Sequence, residues 1–331
     1  MNRLAPGDPL AQALWQLAAP GADSRRPTGE VQVEPLPSSR RVWRFTFPEH
    51  DAAVVGKFFS AYPPRASADL SLSREYAIYR RLPLLGLANG GPPTPRLLGR
   101  WPQGSLGLLL AAVPGPDLDH FLQRACRHAD PAPLRRALEK LARLLARLHS
   151  RPRPPRPVAP TPALAYLDKM VVQLQAAGLL SADHRQTLAQ ERLAWEARWA
   201  EFPDRQVLIH GDATPTNFLF PDGRAVALDL ERLRFGDRLW DLAWVAGELK
   251  HAWGWRTGCL DGAEGAIGHF FRAYGAALEL DPAASRRLDH LNPLYMALAE
   301  LRIARNSYLS WDYRRELVAE ACRCLYHGRR R

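Results

Sequence analysis

The chain has 331 residues, of which 47% are hydrophobic and 9% aromatic, so it can bury a sizeable core and wholesale disorder is not expected. Its formal net charge of +11 favours anionic partners such as nucleotides, phosphorylated sugars, nucleic acid or an anionic membrane surface, although an arginine-rich composition alone would give the same charge. Pro9 breaks the apolar stretch near the N-terminus and no apolar run is long enough to span a bilayer, so we expect neither a secretory signal nor a transmembrane segment.

The first third of the chain has the sequence pattern of an antiparallel sheet. After a lead-in at 1–29, short runs of β-branched and aromatic residues are separated by turns that contain proline, serine or aspartate. The predicted strands are 31–36, 41–47, 53–59, 94–101 and 106–113. Between the third and the fourth of them, Leu72, Tyr76 and Tyr79 recur with the period of a helix. We predict a helical segment at 71–85, in which Pro83 marks the end of the helix.

From residue 118 onward the pattern is mainly helical. In the segment 133–150, leucines line one face and arginines lie opposite them. Such a basic amphipathic helix could rest on a membrane, but we favour a core helix with a solvated arginine face because that is the commoner use of the pattern. The proline-rich stretch 151–162 predicts an extended connector. Further helices are predicted at 163–177, at 182–200 and from Trp240 to the end.

The change of pattern predicts an α+β fold with two lobes. Residues 1–110 would form a small antiparallel β-rich N-terminal lobe, residues 111–117 a hinge, and residues 118–331 a larger, mainly helical C-terminal lobe. Junctions between domains are favoured places for ligand pockets, so we expect a site there.

The four cysteines lack the paired spacing of a metal site. They are Cys126, Cys259, Cys322 and Cys324. We interpret them as reduced thiols, which are typical of a cytoplasmic protein.

The stretch "LIHGDATPTNFLF", Leu208 to Phe220, places polar side chains on a tight loop between two strand-like runs. Asp212, at the end of the first run, can accept a proton from a substrate hydroxyl or hold that hydroxyl in line for attack. Asn217 offers an amide oxygen of the kind that binds Mg²⁺. His210 could act as a base, but its position at a strand end favours a structural role in which it hydrogen-bonds the loop backbone.

Asp229 stands in the next apolar run, "RAVALDLER", where we expect it to lie inside a strand. A buried carboxylate is costly unless a positive charge lies beside it, and either a divalent cation or Arg232 would serve. The Asp-Gly turn within 220–224 would bring Asn217 and Asp229 close across adjacent strands. Two carboxylates and one carboxamide on such a frame suit Mg²⁺-assisted phosphoryl transfer.

The pattern His-Gly-Asp, four residues, Asn, and then an apolar run with Asp resembles the catalytic loop and metal-binding strand of the aminoglycoside phosphotransferase/choline kinase family. The segment "FGDRLWDLAW" resembles the family segment in which an aspartate, here Asp241, buttresses the catalytic loop. "LARLLARLHS" resembles a family helix that ends in Leu-His-Ser. The resemblance covers roughly residues 30–320 and implies a bilobal protein-kinase-like fold. It also implies ATP- and Mg²⁺-dependent transfer of the γ-phosphate to a small-molecule hydroxyl.

The same resemblance implies roles for two charged residues of the small lobe. Lys57, in "VVGKFF", would neutralise the α- and β-phosphates of the nucleotide, and Glu75 would pair with it. A lysine within an apolar strand needs such partners, although a solvated edge lysine would give the same sequence.

The resemblance also implies which backbone groups would meet the nucleotide. The backbone of Ala111 and Val113 would bond the adenine edge. The turn 36–41 lacks the glycine that usually covers the phosphates in this fold. Ser38 and Ser39 are therefore the candidates to donate hydrogen bonds there.

The acceptor is expected between Asp212 and the C-terminal helices. The candidate acceptor residues are Glu248, Trp253, Trp255, Arg302 and Arg305. The tryptophans could stack on a sugar or cage a cationic headgroup, although ordinary packing would also account for them. The arginines favour an acceptor that already carries phosphate or carboxylate. We therefore prefer a sugar or glycoconjugate as the acceptor. Choline-type amino alcohols are the second choice, and polycationic aminoglycosides are less favoured than either.

Two rival functions stay open. A nucleotide-binding pseudokinase or scaffold with the same fold is favoured slightly by the glycine-free turn, but the complete set of catalytic and metal-binding residue types opposes it. Nucleic-acid binding rests on the net charge alone, and no recognition motif in the sequence supports it.

Overall fold

The structure is a computed structural model that describes residues 2–18, 29–37, 41–59, 65–85, 93–102, 106–128, 130–150 and 156–330. The chain divides into two compact units. The first comprises Met1–Gly115 and Val226–Glu231, and the second comprises Pro116–Ala225 and Arg232–Arg331. The boundaries 1–110, 111–117 and 118–331 stay a prediction.

The first unit is built on a six-stranded antiparallel sheet with the strand order β1-β2-β3-β4-β6-β5. Its strands are β1 (Asn2–Leu4), β2 (Val31–Leu36), β3 (Arg41–Phe47), β4 (Ala52–Phe58), β5 (Leu97–Arg100) and β6 (Gly107–Ala111), and its helices are α1 (Pro9–Ala18) and α2 (Arg65–Arg81). A short strand β9 (Val226–Ala227) also belongs to this unit. The sheet positions Lys57, which lies on β4 opposite Leu108 of β6.

The N-terminal lead-in contributes to the core of the first unit. Strand β1 pairs with β2 along the edge of the sheet. Ala11 and Leu14 of α1 are buried against Val33 and Phe45 of the sheet. Full burial of a leucine side chain stabilises a fold by about 2 kcal/mol, so this segment adds to the stability of the unit. The sequence pattern by itself indicates only a lead-in at 1–29.

Helix α2 differs in its bounds from the predicted helix. It begins at Arg65, earlier than predicted, and ends at Arg81. Pro83 then opens a short 3-10 helix, Pro83–Leu85, because proline lacks the N–H group that would continue the α-helix.

The second unit is mainly helical. Its helices are α3 (Leu118–His128), α4 (Ala132–His149), α5 (Thr161–Ala176), α6 (Ala182–Trp199), α7 (Leu239–Thr257), α8 (Glu264–Leu278), α9 (Pro282–Ala304) and α10 (Trp311–Gly328). Its strands are β7 (Val207–Ile209), β8 (Phe218–Leu219) and β10 (Arg234–Gly236). Strands β7 and β10 pair antiparallel, with Ile209 opposite Arg234. Helix α4 buries all six of its leucines, Leu134, Leu138, Leu141, Leu144, Leu145 and Leu148, while Arg135 and Arg143 are exposed, as the amphipathic pattern predicts.

The predicted α+β class is confirmed, with an antiparallel β-rich N-terminal part and a mainly helical C-terminal part. No helix in the described ranges combines the length and the apolar composition needed to cross a bilayer.

The prediction that Asp229 lies inside a strand is wrong. Strand β9 ends at Ala227, and a 3-10 helix begins at Leu230. Asp229 itself has a left-handed backbone conformation, with φ of +53°. Aspartate tolerates this conformation better than most residues with a side chain. The carboxylate is therefore carried by a turn.

Candidate active site

A buried ion-pair cluster surrounds Lys57 in the first unit. The Lys57 ammonium donates to Glu75 Oε2 at 2.8 Å and to Asp229 Oδ1 at 2.6 Å. The Lys57 side chain is 8% exposed and the Glu75 side chain 1%, whereas the Asp229 side chain is 29% exposed. Glu231 lies 3.9 Å from the same ammonium. Strand β4, helix α2 and the turn after β9 thus bring together residues that are far apart in sequence.

The charge of Lys57 is maintained by its partners. Burial acts to lower the pKa of Lys57, but the nearby carboxylates of Glu75 and Asp229 outweigh burial and raise it. Asp229 therefore pairs with Lys57, which it shares with Glu75, and not with Arg232, the cationic side chain that the sequence suggested. Its second oxygen, Oδ2, has no hydrogen bond within the described residues, so Asp229 keeps a hard oxygen for a cation.

The end of strand β6 presents the backbone groups predicted to meet adenine. The N–H of Ala111 donates to the carbonyl of Arg96 at 2.9 Å, and the N–H of Ala112 donates to the carbonyl of Ala53 at 3.1 Å. Both of these N–H groups are therefore used in hydrogen bonds within the protein. The next backbone N–H group along the chain is that of Val113. From Ala111 only the carbonyl is left for a ligand. Ser38 and Ser39 lie outside the described residues.

In the second unit, a fully buried carboxylate fixes the loop that carries Asp212. Asp241, on α7, accepts hydrogen bonds from the N–H of His210 at 2.7 Å and from the N–H of Gly211 at 2.8 Å. Burial acts to raise the pKa of Asp241, but the hydrogen bond from His149 and the other donors outweigh burial and lower it. Asp241 is thus an ionised acceptor that holds the turn after β7.

His149 and Tyr274 extend this network, and sequence analysis missed both as functional residues. His149 Nε2 donates to Asp241 Oδ2 at 3.1 Å, and His149 Nδ1 is hydrogen-bonded to the Tyr274 hydroxyl at 2.7 Å. The Leu-His-Ser ending of α4 was the signal that could have identified His149. Tyr274 is 125 positions away along the chain and carries no local signal.

Glycine is required at position 211 for two reasons. Gly211 has φ of +80°, a conformation that favours glycine. A Cβ at this position would lie 2.5 Å from the carbonyl oxygen of Arg232 and would also meet the guanidinium of Arg234. Because glycine has no side chain, Arg232 and Arg234 can lie close to the backbone at this turn, directly before Asp212.

The loop also carries Asp212 and Asn217, which are both partly exposed. Asp212 is partly exposed at 21%, and the Arg232 guanidinium lies 3.9 Å from its carboxylate. Asn217, at the end of a 3-10 helix, donates from its amide nitrogen to the carbonyl of Asp212 at 2.9 Å. That hydrogen bond leaves the amide oxygen of Asn217 as the group for a cation. His210 is buried and accepts from the N–H of Asp212 at 3.3 Å through Nδ1.

The acceptor candidates lie on two elements of the second unit, helix α7 and the C-terminal end of helix α9. Glu248 of α7 and Arg302 of α9 form a hydrogen-bonded ion pair. Burial raises the pKa of Glu248, and the positive charge of Arg302 opposes that rise only in part. Arg305 is exposed just after α9 and donates to Gln173 over a long 3.5 Å.

The two tryptophan candidates differ in their surroundings. Trp253 is half-buried and packs closely on Gly262, so it has the packing role that sequence analysis kept open. Trp255 is 51% exposed, with its ring 5.4 Å from that of Tyr313. Only Trp255 offers an open aromatic face.

Comparison with known proteins places this geometry in a family. The model of the phosphotransferase enzyme family matches residues 32–290. The chain belongs to that family. The match includes both the Lys57 cluster and the Asp212 loop. No curated protein matches the chain in sequence.

Several solved structures share the kinase-like fold of the family. The ADP-bound aminoglycoside phosphotransferase APH(2'')-Ib is 16% identical, with a TM-score of 0.54 and coverage of 88% of this chain and 92% of its own. A choline/ethanolamine kinase family protein from Mesorhizobium loti is 19% identical, with a TM-score of 0.57 and coverage of 94% and 92%. A glucosamine kinase is 19% identical, with a TM-score of 0.52 and coverage of 98% and 84%. At these identities the likeness concerns the fold.

Proposed function

We propose that this phosphotransferase moves the γ-phosphate of ATP to a hydroxyl of a sugar or glycoconjugate, with Mg²⁺ as cofactor. The observation that carries the proposal is the hydrogen-bonded turn in which buried Asp241 holds the N–H groups of His210 and Gly211. This turn places a partly exposed carboxylate, Asp212, at the end of a buried strand. A carboxylate fixed in this way can orient an acceptor hydroxyl and accept its proton as the phosphate is transferred.

The charged residues of each unit fit a nucleotide and its metal. Lys57, held by Glu75, is a buried cation suited to the nucleotide phosphates. Asn217 and Asp229 each keep an oxygen atom of the hard kind that Mg²⁺ prefers, and they would hold the ion. When bound, the ion would neutralise charge on the transferred phosphate.

The nucleotide assignment has further support from the backbone and from the neighbours. The carbonyl of Ala111 and the N–H of Val113 are the backbone groups left for adenine beyond the sheet. One structural neighbour is described as ADP-bound. Hydrogen bonds from Ser38 and Ser39 to the phosphates stay a prediction. All four cysteines are free thiols, which supports a cytoplasmic reaction.

The choice of a sugar rests on charge. Glu248 is the acidic acceptor candidate, and Arg302 neutralises it. A polycationic aminoglycoside would find no net negative charge in that pair. A choline-type amino alcohol is the second candidate, because the exposed ring of Trp255 beside Tyr313 could face a quaternary ammonium group. Glucosamine kinase among the neighbours is consistent with a sugar.

ADP release, measured with and without sugars, amino alcohols and aminoglycosides, tests the proposal. Asp212→Asn should lower acceptor-dependent turnover at least about a hundredfold while ATP still binds, because the amide cannot accept the proton. Asp222→Asn, the same change at an exposed turn, is the matched control and should leave turnover unchanged. Unaltered turnover in Asp212→Asn would contradict the role of Asp212. ATP binding without transfer to any acceptor would favour a nucleotide-binding pseudokinase.

A further inference from the structure

Tyr166 has three arginines and Asp212 among its charged neighbours. Tyr166, on α5, is half-buried with its ring 5.2 Å from that of Trp240 and 5.8 Å from that of Trp244. The residues within electrostatic range of its hydroxyl are Arg302, Arg305, Arg232 and Asp212. These groups come from α5, from α9 and its C-terminal end, from the loop after β7 and from the 3-10 helix after β9, so they form a tertiary site.

The protonation of Tyr166 makes it a donor. Burial raises the pKa of the Tyr166 hydroxyl and the arginines counteract this only in part, so the net shift is upward. The hydroxyl is therefore neutral at physiological pH and can donate a hydrogen bond to an anion.

The arginines differ in how far their charge is already neutralised. Arg302 forms an ion pair with Glu248 and lies over the ring of Trp244 at 5.4 Å, so its positive charge is already balanced by a carboxylate of the protein. Arg232 is 55% exposed and has only a long contact, 3.9 Å, with Asp212. Arg305 is exposed, and within the described residues it forms a long hydrogen bond to the amide of Gln173 and has no carboxylate partner.

The site therefore has surplus positive charge facing solvent. Of the two exposed guanidinium groups, Arg232 lies 3.9 Å from the carboxylate of Asp212, which the reaction itself needs, and Arg305 has no carboxylate within salt-bridge distance in the described residues. A guanidinium group binds phosphate or carboxylate through paired hydrogen bonds. A cationic acceptor would meet like charge at the same place.

We propose that the acceptor carries an anionic group, a phosphate or a carboxylate, which Arg305 and Arg232 bind beside the Tyr166 hydroxyl while the acceptor hydroxyl meets Asp212. The inference rests on the proposed transfer to a hydroxyl, and it adds Tyr166 and Arg232 as residues that determine specificity. Arg302 supports the site by closing off Glu248, which would otherwise repel an anion.

Four sugars that share one ring and differ in charge test the inference. Binding of glucose, glucosamine, glucuronate and glucose 6-phosphate to the full chain is measured by calorimetry in the presence of ADP, together with the rate of ADP release from ATP. We expect glucuronate and glucose 6-phosphate to bind at least about tenfold more tightly than glucose, and glucosamine to bind most weakly.

Two substitutions then locate the anion site. Arg305→Gln should remove most of the tenfold preference and leave the Kd of ATP within about twofold, because Arg305 is exposed and faces the acceptor. Tyr166→Phe keeps the ring packing and removes the hydroxyl, so it should weaken the binding of the anionic sugars by about three- to tenfold. Arg136→Gln on α4 is the matched control, because Arg136 is an exposed arginine away from these residues in the fold. It should change neither the affinity for the anionic sugars nor the Kd of ATP.

The outcomes separate this inference from the proposed function. Transfer to neutral or cationic sugars without charge preference, or failure of all four sugars to bind, overturns the inference and leaves the kinase function standing. A loss of ATP affinity in Arg305→Gln also overturns it, because the arginine would then serve the nucleotide. Anion binding that depends on Arg305, without phosphate transfer to any acceptor, supports the anion site and contradicts the kinase function.

Discussion

The buried carboxylate of Asp241 accepts a hydrogen bond from the N–H of Gly211 at 2.8 Å, and this contact fixes the turn on which Asp212 stands. The two residues are 30 positions apart, so the turn depends on the packing of α7 against the end of β7. A charged acceptor inside the protein is stable here because His149 and two backbone N–H groups all donate to it.

Replacing this acceptor should destabilise the fold and lower activity together. Asp241→Asn leaves one acceptor oxygen and turns an NH₂ group toward N–H donors, so we expect a loss of about 3 kcal/mol in the free energy of unfolding. Urea denaturation measures that loss, and ADP release measures the activity. Asp261→Asn, at an exposed position, should be neutral in both. Equal stability of Asp241→Asn and the parent chain would show that the carboxylate does not hold the turn.

Removing the ammonium of Lys57 should leave Glu75 buried without its partner. For Lys57→Met we expect a loss of about 3 kcal/mol, and Lys57→Met combined with Glu75→Leu should lose less because no uncompensated charge stays inside. Thermal and urea unfolding of the single and double variants measure the coupling. Lys169→Met, on the exposed face of α5, is the control. A double variant less stable than Lys57→Met alone would contradict the expectation.

Position 211 should accept no side chain. Gly211→Ala forces a residue with a Cβ into the left-handed region and against the Arg232 carbonyl, so it should cost about 2 kcal/mol or more and displace Asp212. Gly275→Ala in α8, where an added Cβ meets nothing within 4 Å, should stabilise by about 0.5–1 kcal/mol. Similar effects of both changes on unfolding would rule out a special conformation at Gly211.

Stability should fall with rising pH because of Glu300. This fully buried side chain has one oxygen without a hydrogen-bond partner in the described structure, and burial raises its pKa to about 8 from a usual 4.5, an effect that Lys250 opposes. Between these two values the folded chain binds one proton more than the unfolded chain. The free energy of unfolding therefore decreases with pH, by at most about 1.4 kcal/mol per pH unit.

Glu300→Gln keeps the shape of the side chain and removes the titration. Its free energy of unfolding, measured in urea from pH 5 to pH 8, should lack this decrease, so its advantage over the parent chain should grow as the pH rises. Glu316→Gln, at an exposed position of α10, should keep the slope of the parent chain. A parallel pH dependence in Glu300→Gln and the parent chain would show that Glu300 is ionised in the fold.

The sequence by itself determined the elements and the reactive residue types. Short runs of β-branched and aromatic residues predicted the strands, and the recurring leucines of α4 predicted its buried face, because both patterns follow from local backbone geometry. The His-Gly-Asp loop with its asparagine indicated phosphoryl transfer for a similar reason, since that chemistry needs those groups at short spacing.

Only the tertiary structure decided which distant groups meet. The sequence predicts a strand at Asp229, because the local apolar pattern cannot show that β9 ends before it or that its carboxylate pairs with a lysine of β4. The neighbours of Asp241 and the arginines around Tyr166 were likewise hidden, since they come from segments that lie far apart along the chain. Charge and hydrogen-bond partners depend on distance in space, and for this chain that distance is set by packing.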